Sequence, residues 1–264
     1  MRILHSIKGC KNKGGRQPSA PIAFLRTHVV LCMLALGGGG TAHARAAETV
    51  GGVTFAGAAA TLYAPVRAVA TALGWPLHWD ESDTTLYLNN QEVTGDNTLR
   101  RLPDGTVLVA VGALRHLGAT VSWDSEKSAA TVRTEAASVL IARGDKRVQI
   151  DRSAQRLRAW QGDLLVLEMP VSTGRSGRRT PAGTFTAGPY KSRMHYSRLY
   201  DDAPMPYSVQ VSGNIFIHGF TSVPERPASH GCVRMPLDGA NPARWFYEWV
   251  DHGTPIHITG RWSG

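Results

Sequence analysis

The chain has 264 residues, 29 Lys and Arg against 20 Asp and Glu, and three cysteines, and a chain of this length can bury two modest cores without disulfides or a metal. Residues 1–46 hold seven of the basic residues and none of the acidic ones, which leaves 22 basic against 20 acidic residues in the rest. This near balance excludes a basic face of the kind that binds nucleic acid.

Residues 1–46 have the features of an export signal. A basic, polar segment precedes the short apolar run VVLCMLAL, residues 29–36, and Ala-x-Ala cleavage sites follow in AHARAA. Eight apolar residues are too few to cross a bilayer, which needs about 20. The sequence predicts cleavage near residues 44–46, after Ala44 or Ala46, with an uncleaved anchor or a translation start downstream of Met1 as the alternatives.

An internal repeat follows, because residues 64–88 align with residues 110–132 at an offset of 44. Each copy predicts an amphipathic helix closed by glycine, a strand that ends in Trp-Asp, a polar turn and a second strand. The segment RRLPDGTVLV, residues 100–109, predicts a turn between two strands. His78 and His116 occupy different places in the two copies, which favours surface histidines over metal ligands.

The repeat resembles the small α+β repeats at the start of copper amine oxidases, which also occur in many exported bacterial proteins. The resemblance implies an α+β module over residues 47–135, followed by a linker over 136–145. We expect this module to be a binding or spacer domain without a catalytic role. We expect the module to help position the protein, and a fragment starting near Ala142 to fold by itself.

Short strands and glycine-rich turns dominate residues 146–264, which predicts a mainly β domain. Gln161-Gly162-Asp163 predicts a hairpin turn, and SVQVSGNIFIHG, residues 208–219, predicts a second hairpin. The segment NPARWFYEWVDHG predicts one packed helix, with Asn241 as N-cap, Pro242 in the first turn and Gly253 just past the end. Its two tryptophans, Trp245 and Trp249, are one helical turn apart and are expected in the core.

The candidate site lies in IHGFTSVPERPASHGCVRM, residues 217–235. Cleavage of the signal leaves Cys232 as the lone thiol of an exported protein, where a thiol is either buried or used. Acyl transfer by cysteine needs a base, a group that orients the base, and oxyanion donors. His218 is the candidate base, the Gly219 backbone the orienting group, and the turn through His230 and Gly231 the candidate oxyanion nest.

This stretch resembles the signature of the L,D-transpeptidase catalytic domain, or YkuD family, a His-Gly pair followed by Ser/Thr-His-Gly-Cys, an apolar residue and Asn or Arg. The match consists of His218, Gly219, Ser229, His230, Gly231, Cys232, Val233 and Arg234. The upstream motifs PVSTG, TPAGTF and MPY, at residues 170–174, 180–185 and 205–207, fit the family in order and distance. Ten residues separate His218 from Ser229, fewer than in many members, which implies a smaller wall on that side of the cleft.

The resemblance implies a β-sandwich and a place in the periplasm or cell wall, with peptidoglycan stem peptides as substrate. Cys232 would attack the carbonyl of the third stem residue and expel D-alanine, with His218 as general base and acid. An amine acceptor on another stem then gives a 3→3 cross-link, an acceptor on a wall-attached protein anchors that protein, and water gives L,D-carboxypeptidase action. The predicted substrate contacts are Ser229, Arg234, Tyr207 and Met205. Residues 189–204 lie where the family has a lid over the donor site, with a solvated loop as the equal alternative.

Carbapenems are expected to acylate Cys232, again by resemblance, and Cys232 is expected to be partly thiolate near neutral pH, held so by His218. No cofactor, metal or nucleic acid is expected. Two other classes remain as alternatives. A zinc site could use His218, His230 and Cys232, although His230 and Cys232 flank one glycine and no fourth ligand is nearby. A non-catalytic wall-binding protein could retain the fold.

Overall fold

The computed structural model describes residues 48–82 and 85–262. The predicted export signal, together with Cys10 and Cys32, lies outside these residues. Neither α-helix in the described ranges has the length and apolarity that a membrane span requires.

The first half of the described chain consists of short strands in three small sheets. The strands are β1 Glu48–Gly51, β2 Tyr63–Pro65, β3 Leu77–Asp80, β4 Thr85–Leu88, β5 Gln91–Glu92, β6 Leu99–Arg101, β7 Val107–Ala110, β8 Thr120–Asp124, β9 Ala129–Arg133 and β10 Ser138–Ala142. The sheet orders are β1-β10-β9-β8, β2-β7-β6 and β3-β4-β5. Helix α1 spans Val66–Leu73, and two 3₁₀ helices span Ala56–Ala58 and Val111–Arg115.

The two copies of the repeat share their strands but not their helix. In both copies a strand that ends in Trp-Asp pairs antiparallel with the next strand, as predicted (β3 with β4, β8 with β9). Helix α1 ends at Gly74 with φ +66°, also as predicted. The second copy has only the 3₁₀ helix, because Gly112 stands where the first copy has Ala68 and glycine disfavours a helix by about 1 kcal/mol. The likeness to copper amine oxidase repeats stays a prediction.

The second half is mainly β with one packed helix, which confirms the predicted fold class. Its elements are β11 Lys146–Asp151, β12 Arg156–Gln161, β13 Leu164–Pro170, β14 Gly183–Thr186, β15 Lys191–Ser197, β16 Ala203–Ser212, β17 Ile215–Gly219, β18 Val233–Met235, helix α2 Pro242–Trp249 and β19 Pro255–Thr259. A five-stranded sheet, β13-β12-β11-β19-β14, and a four-stranded sheet, β15-β16-β17-β18, contribute to one hydrophobic cluster. Both predicted hairpins form, β12 with β13 and β16 with β17.

Helix α2 begins as predicted but ends earlier. The Asn241 side chain accepts a hydrogen bond from the Arg244 N–H (3.0 Å), and the helix ends at Trp249 rather than beside Gly253. Two lysines replace a glycine cap, because the Lys146 ammonium donates to the Trp249 carbonyl (2.6 Å) and the Lys191 ammonium to the Val250 carbonyl (2.6 Å). These cations satisfy carbonyls that a helix C-terminus leaves unpaired and complement its negative end.

The two halves share a core. The predicted linker, residues 136–145, contains strand β10, which pairs parallel with β1 and antiparallel with β9. The cluster that fills the second half also includes five residues of the first, namely Val53, Phe55, Tyr63, Leu102 and Leu108. The expectation that residues from Ala142 onward close their own core is therefore wrong, because apolar side chains from the first half complete it. The exact domain boundaries stay predictions.

Polar contacts reinforce this junction. The Gln161 side chain accepts from the Thr54 N–H (3.0 Å), donates to the Thr54 hydroxyl (3.0 Å) and accepts from the Trp249 indole N–H (3.2 Å). The Trp245 indole N–H donates to the Arg101 carbonyl (3.0 Å). Both tryptophans are buried and stack at 5.8 Å between ring centroids, as the sequence predicts.

Candidate active site

A cavity of about 1450 Å³ brings most of the predicted site residues together. Its lining includes Cys232, His218, Arg234, Ser229, His230 and Met205. They come from β16, β17, β18 and the loop before β18, so parts of the chain nearly 30 residues apart meet on one wall. This convergence depends on β17 pairing parallel with β18, which sets His218 opposite Arg234.

Side-chain hydrogen bonds hold the turn that carries Cys232. The Ser229 hydroxyl donates to the Cys232 carbonyl (2.6 Å) and accepts from the Gly231 N–H (3.1 Å). The buried Thr180 hydroxyl donates to the Gly231 carbonyl (2.7 Å) and accepts from the Gly174 N–H (2.8 Å). Gly231 has φ +121°, a conformation that favours glycine. The motifs that contain Gly174 and Thr180 therefore support the cysteine turn.

The predicted oxyanion nest is only partly available. The Gly231 N–H is already bonded to the Ser229 hydroxyl, so it does not point freely into the cavity. The tight turn was expected to present its N–H groups to substrate, whereas one of them serves to close the turn. The Cys232 thiol itself contacts the Asn214 carbonyl, to which the S–H donates at 3.6 Å.

His218 is a buried histidine held in one tautomer. Its Nδ1 lies 2.9 Å from the Gly219 carbonyl oxygen, which can only accept, so Nδ1 carries the proton and Nε2 is left as the basic atom. Burial lowers the pKa of His218 to about 4, although the bond to Gly219 acts in the opposite direction. The imidazole is therefore a neutral base throughout the neutral pH range.

Cys232 is also held in its neutral form. Burial raises the pKa of the Cys232 thiol above its usual range, and the Phe216 N–H and the Arg234 charge oppose this only in part. The two shifts favour a neutral thiol and a neutral imidazole in the same cavity. The expectation that His218 holds Cys232 partly as thiolate near pH 7 does not agree with these directions, because desolvation penalises both charged forms.

We therefore expect alkylation of Cys232 by iodoacetamide to keep rising with pH well beyond neutrality. A thiol with a raised pKa is protonated below that pKa, so its thiolate fraction falls about tenfold for each pH unit below it. The measurement is the alkylation rate of the Cys232 peptide by mass spectrometry from pH 5 to 10, with Cys232→Ser as the blank. A rate that reaches its plateau near pH 7 would instead indicate a thiolate–imidazolium pair.

Arginines give the cavity cationic groups. The Arg234 guanidinium lies 4.0 Å from the centre of the Phe220 ring, and both residues line the cavity with Arg178. Within the described ranges, no carboxylate forms an ion pair with Arg178 or Arg234. A planar guanidinium with unused donors suits a carboxylate.

The predicted lid contains β15, the turn after it and the first residues of β16, and its turn contacts the turn that carries Cys232. The Tyr200 ring lies 4.4 Å from the His230 ring, centre to centre, and Arg175 donates to Nε2 of His230 (2.8 Å). Tyr196 and Leu199 on the same hairpin are 55% and 62% exposed and line the cavity. His230 therefore connects the lid to the turn that bears the nucleophile candidate.

The structure places only one of two neighbouring predicted substrate contacts in the cavity. Met205 lines the cavity, whereas Tyr207 does not. Tyr207 has φ +56° and packs against the hydrophobic cluster, with its ring 6.1 Å from that of Tyr247. The resemblance implied that both residues contact substrate, but Tyr207 packs against the core and is not a contact in this cavity.

The sequence interpretation missed two residues of the site. Asn214 and Arg178 line the cavity but lie 18 and 54 residues from Cys232 along the chain. No motif marks them, and only folding brings them to the cysteine. In residues 48–82 and 85–262, no group of three or more His, Cys, Asp or Glu side chains is arranged to hold a metal ion.

Comparison with known families gives a match in the second half of the chain. Residues 145–258 match the model of the YkuD family, described as the L,D-transpeptidase catalytic domain. This match confirms the resemblance to the L,D-transpeptidase catalytic domain, whereas the predicted start of that domain at residue 146 stays a prediction. No curated protein matched the chain.

Solved structures with similarity to the chain include several L,D-transpeptidases. The enzyme from Stackebrandtia nassauensis is 25% identical, with 46% of this chain and 58% of that chain covered and a TM-score of 0.41. The one from Xylanimonas cellulosilytica is 28% identical over 45% of this chain and 62% of that chain, with a TM-score of 0.38. The one from Mycobacterium smegmatis is 19% identical, with 82% of this chain and 96% of that chain covered and a TM-score of 0.40. This chain thus spans about three fifths of the length of the first two.

Proposed function

From the match of residues 145–258 to the L,D-transpeptidase catalytic domain, we propose that the protein is a cysteine-dependent acyltransferase that forms 3→3 cross-links in peptidoglycan. The observation that carries the proposal is that Cys232 and His218 line one cavity, with Nδ1 of His218 bound to the Gly219 carbonyl. This contact leaves Nε2 free to take the thiol proton. Acyl transfer would therefore use Cys232 as nucleophile, His218 as base and the Gly219 carbonyl as the group that orients the base.

In the first half-reaction, the Cys232 sulfur attacks the carbonyl carbon of the third residue of a tetrapeptide stem as its proton passes to Nε2 of His218. The tetrahedral intermediate collapses, the C–N bond to the terminal D-alanine breaks, and Nε2 returns the proton to the leaving amine. The products are a thioester on Cys232 and free D-alanine. A neutral thiol and a neutral imidazole suit this route, because the proton moves during attack rather than before it.

In the second half-reaction, an amine of another stem attacks the thioester carbonyl and gives its proton to Nε2 of His218. The C–S bond breaks, the sulfur regains a proton, and a new amide joins the two stems. The N–H of Cys232 is the oxyanion donor that we propose for both steps, since the Gly231 N–H is engaged by Ser229. Arg178 and Arg234 lack carboxylate partners among the described residues and would bind stem carboxylates.

The test is incubation of the purified protein with a disaccharide tetrapeptide, with products read by mass. A cross-linked dimer with release of D-alanine is expected, and Cys232→Ala should give none. Tripeptide without dimer would identify an L,D-carboxypeptidase, and dimer only when a protein with a free amine is supplied would identify protein attachment. Neither product would indicate a non-catalytic wall-binding protein. A place in the periplasm or cell wall follows from the same proposal, and cleavage near residues 44–46 stays a prediction.

A further inference from the structure

A second cavity lies in the first half of the chain, beside an exposed tryptophan. It measures about 300 Å³, and its lining is Thr54, Ala59, Ala60, Leu62, Trp123 and Arg143. Trp123 is 51% exposed at the end of the edge strand β8, the most exposed tryptophan or phenylalanine among the large hydrophobic residues of the described chain. An exposed aromatic side chain that borders a cavity offers apolar surface on which a ligand ring can be buried.

The internal repeat provides a reference for this residue. Trp79 holds the equivalent position in the first copy, where it packs against the buried cluster of the first half, and the Arg101 guanidinium covers its ring at 4.9 Å. Trp123 is outside that cluster, although Val121 on the same face of β8 packs against it. The repeated strand can therefore bury its terminal tryptophan, and the exposure of Trp123 is not a requirement of the fold.

The lining has the composition of a small site for an uncharged, amphipathic ring. Trp123 supplies an aromatic face, and Ala59, Ala60 and Leu62 supply apolar surface. Arg143 is exposed and its guanidinium pairs with no carboxylate in the described ranges, so its donors are available. Such a mainly apolar site with one convergent donor group fits a pyranose, which has an apolar C–H face and hydroxyl or acetamido oxygens at its rim.

We propose that Trp123 and this cavity bind a sugar ring of the peptidoglycan glycan strand, with the C–H face of the ring on the indole and its oxygens toward Arg143. The choice of a glycan rests on the proposed function, because the polymer whose stems reach Cys232 consists of N-acetylated sugars. The cavity has no acidic lining residue that could pair with the free amine of a stem peptide, and Arg143 adds a positive charge that repels such an amine. Binding at this site would keep the enzyme on the strand while stems exchange at Cys232.

The test uses soluble N-acetylglucosamine oligomers, which lack stem peptides, and the full chain. Titration calorimetry should show binding, and Trp123→Ala should raise the Kd about tenfold or more, since truncating a stacking tryptophan removes a dominant contact. Trp123→Phe should recover part of the affinity. Leu165→Ala, which removes another partly exposed apolar side chain (39%) outside the cavity, is the matched control and should leave the Kd unchanged.

Each outcome distinguishes this proposal from the proposed function. Acylation of Cys232 by a carbapenem should proceed at the same rate in Trp123→Ala as in the wild type, because this reaction depends only on the first cavity. Oligomer binding through Trp123 without any muropeptide product would overturn the proposed function and leave the sugar site intact. The sugar site would be overturned if the wild-type protein did not bind the oligomers, or if Trp123→Ala bound them with the wild-type Kd. So would a dimer seen by sedimentation that dissociates in Trp123→Ala, because a second copy would then be the occupant.

Discussion

Replacing Cys232 with alanine is expected to reduce 3→3 cross-linking by at least about 10⁴-fold, because no other described side chain of the cavity is a thiol that can form the thioester. The substitution removes the sulfur and its contact with the Asn214 carbonyl, while the bonds of Ser229 to the Cys232 and Gly231 backbone remain possible. The turn should therefore keep its shape. The measurement is dimer formation from the tetrapeptide, together with the mass adduct of a carbapenem on the Cys232 peptide.

The control for this variant is Thr221→Ala, an exposed position in the loop between His218 and Cys232. It should retain wild-type turnover. His218→Gln is expected to lose about 10²- to 10⁴-fold in turnover, the usual contribution of a general base. If Cys232→Ala still produced dimer, the thioester route would be wrong, and if His218→Gln turned over normally, another group would have to take the thiol proton.

A fragment that begins at Ala142 is expected to be unfolded or molten under conditions where the full chain is folded. The cut removes five apolar residues of the shared cluster, Val53, Phe55, Tyr63, Leu102 and Leu108. Each buried side chain of this kind contributes about 1.5–3 kcal/mol. Their combined loss is comparable with the total stability of a typical domain, about 5–15 kcal/mol.

The cut also removes polar partners from the remaining half. The Gln161 amide loses the backbone and hydroxyl of Thr54, and the Trp245 indole N–H loses the Arg101 carbonyl. Circular dichroism melting and dye binding to exposed apolar surface would measure the effect, and a fragment that begins at Glu48 is the control that keeps the whole junction. A fragment from Ala142 that melts cooperatively and reacts with a carbapenem at the full rate would show that the shared core is dispensable.

The sequence by itself determined the features that depend on residues close together in the chain. The alternation in β11, β12 and β13, the hairpin at Gly162, and the start of α2 at Asn241 and Pro242 follow from local periodicity and turn chemistry. The candidate nucleophile and candidate base were recognisable for the same reason, because His218 and Cys232 lie within one motif. The match of residues 145–258 to the family model agrees with that motif.

Only the tertiary structure decided the features that depend on contacts between distant segments. Lys146 and Lys191, far from α2 in the chain, set where the helix ends, and the left-handed backbone of Tyr207 turns a predicted substrate contact toward the core. The neutral states of Cys232 and His218 likewise result from burial rather than from their motif. A motif shows which groups are present. Their orientation, partners and charge are set by desolvation and long-range packing, which depend on every segment that folds against them.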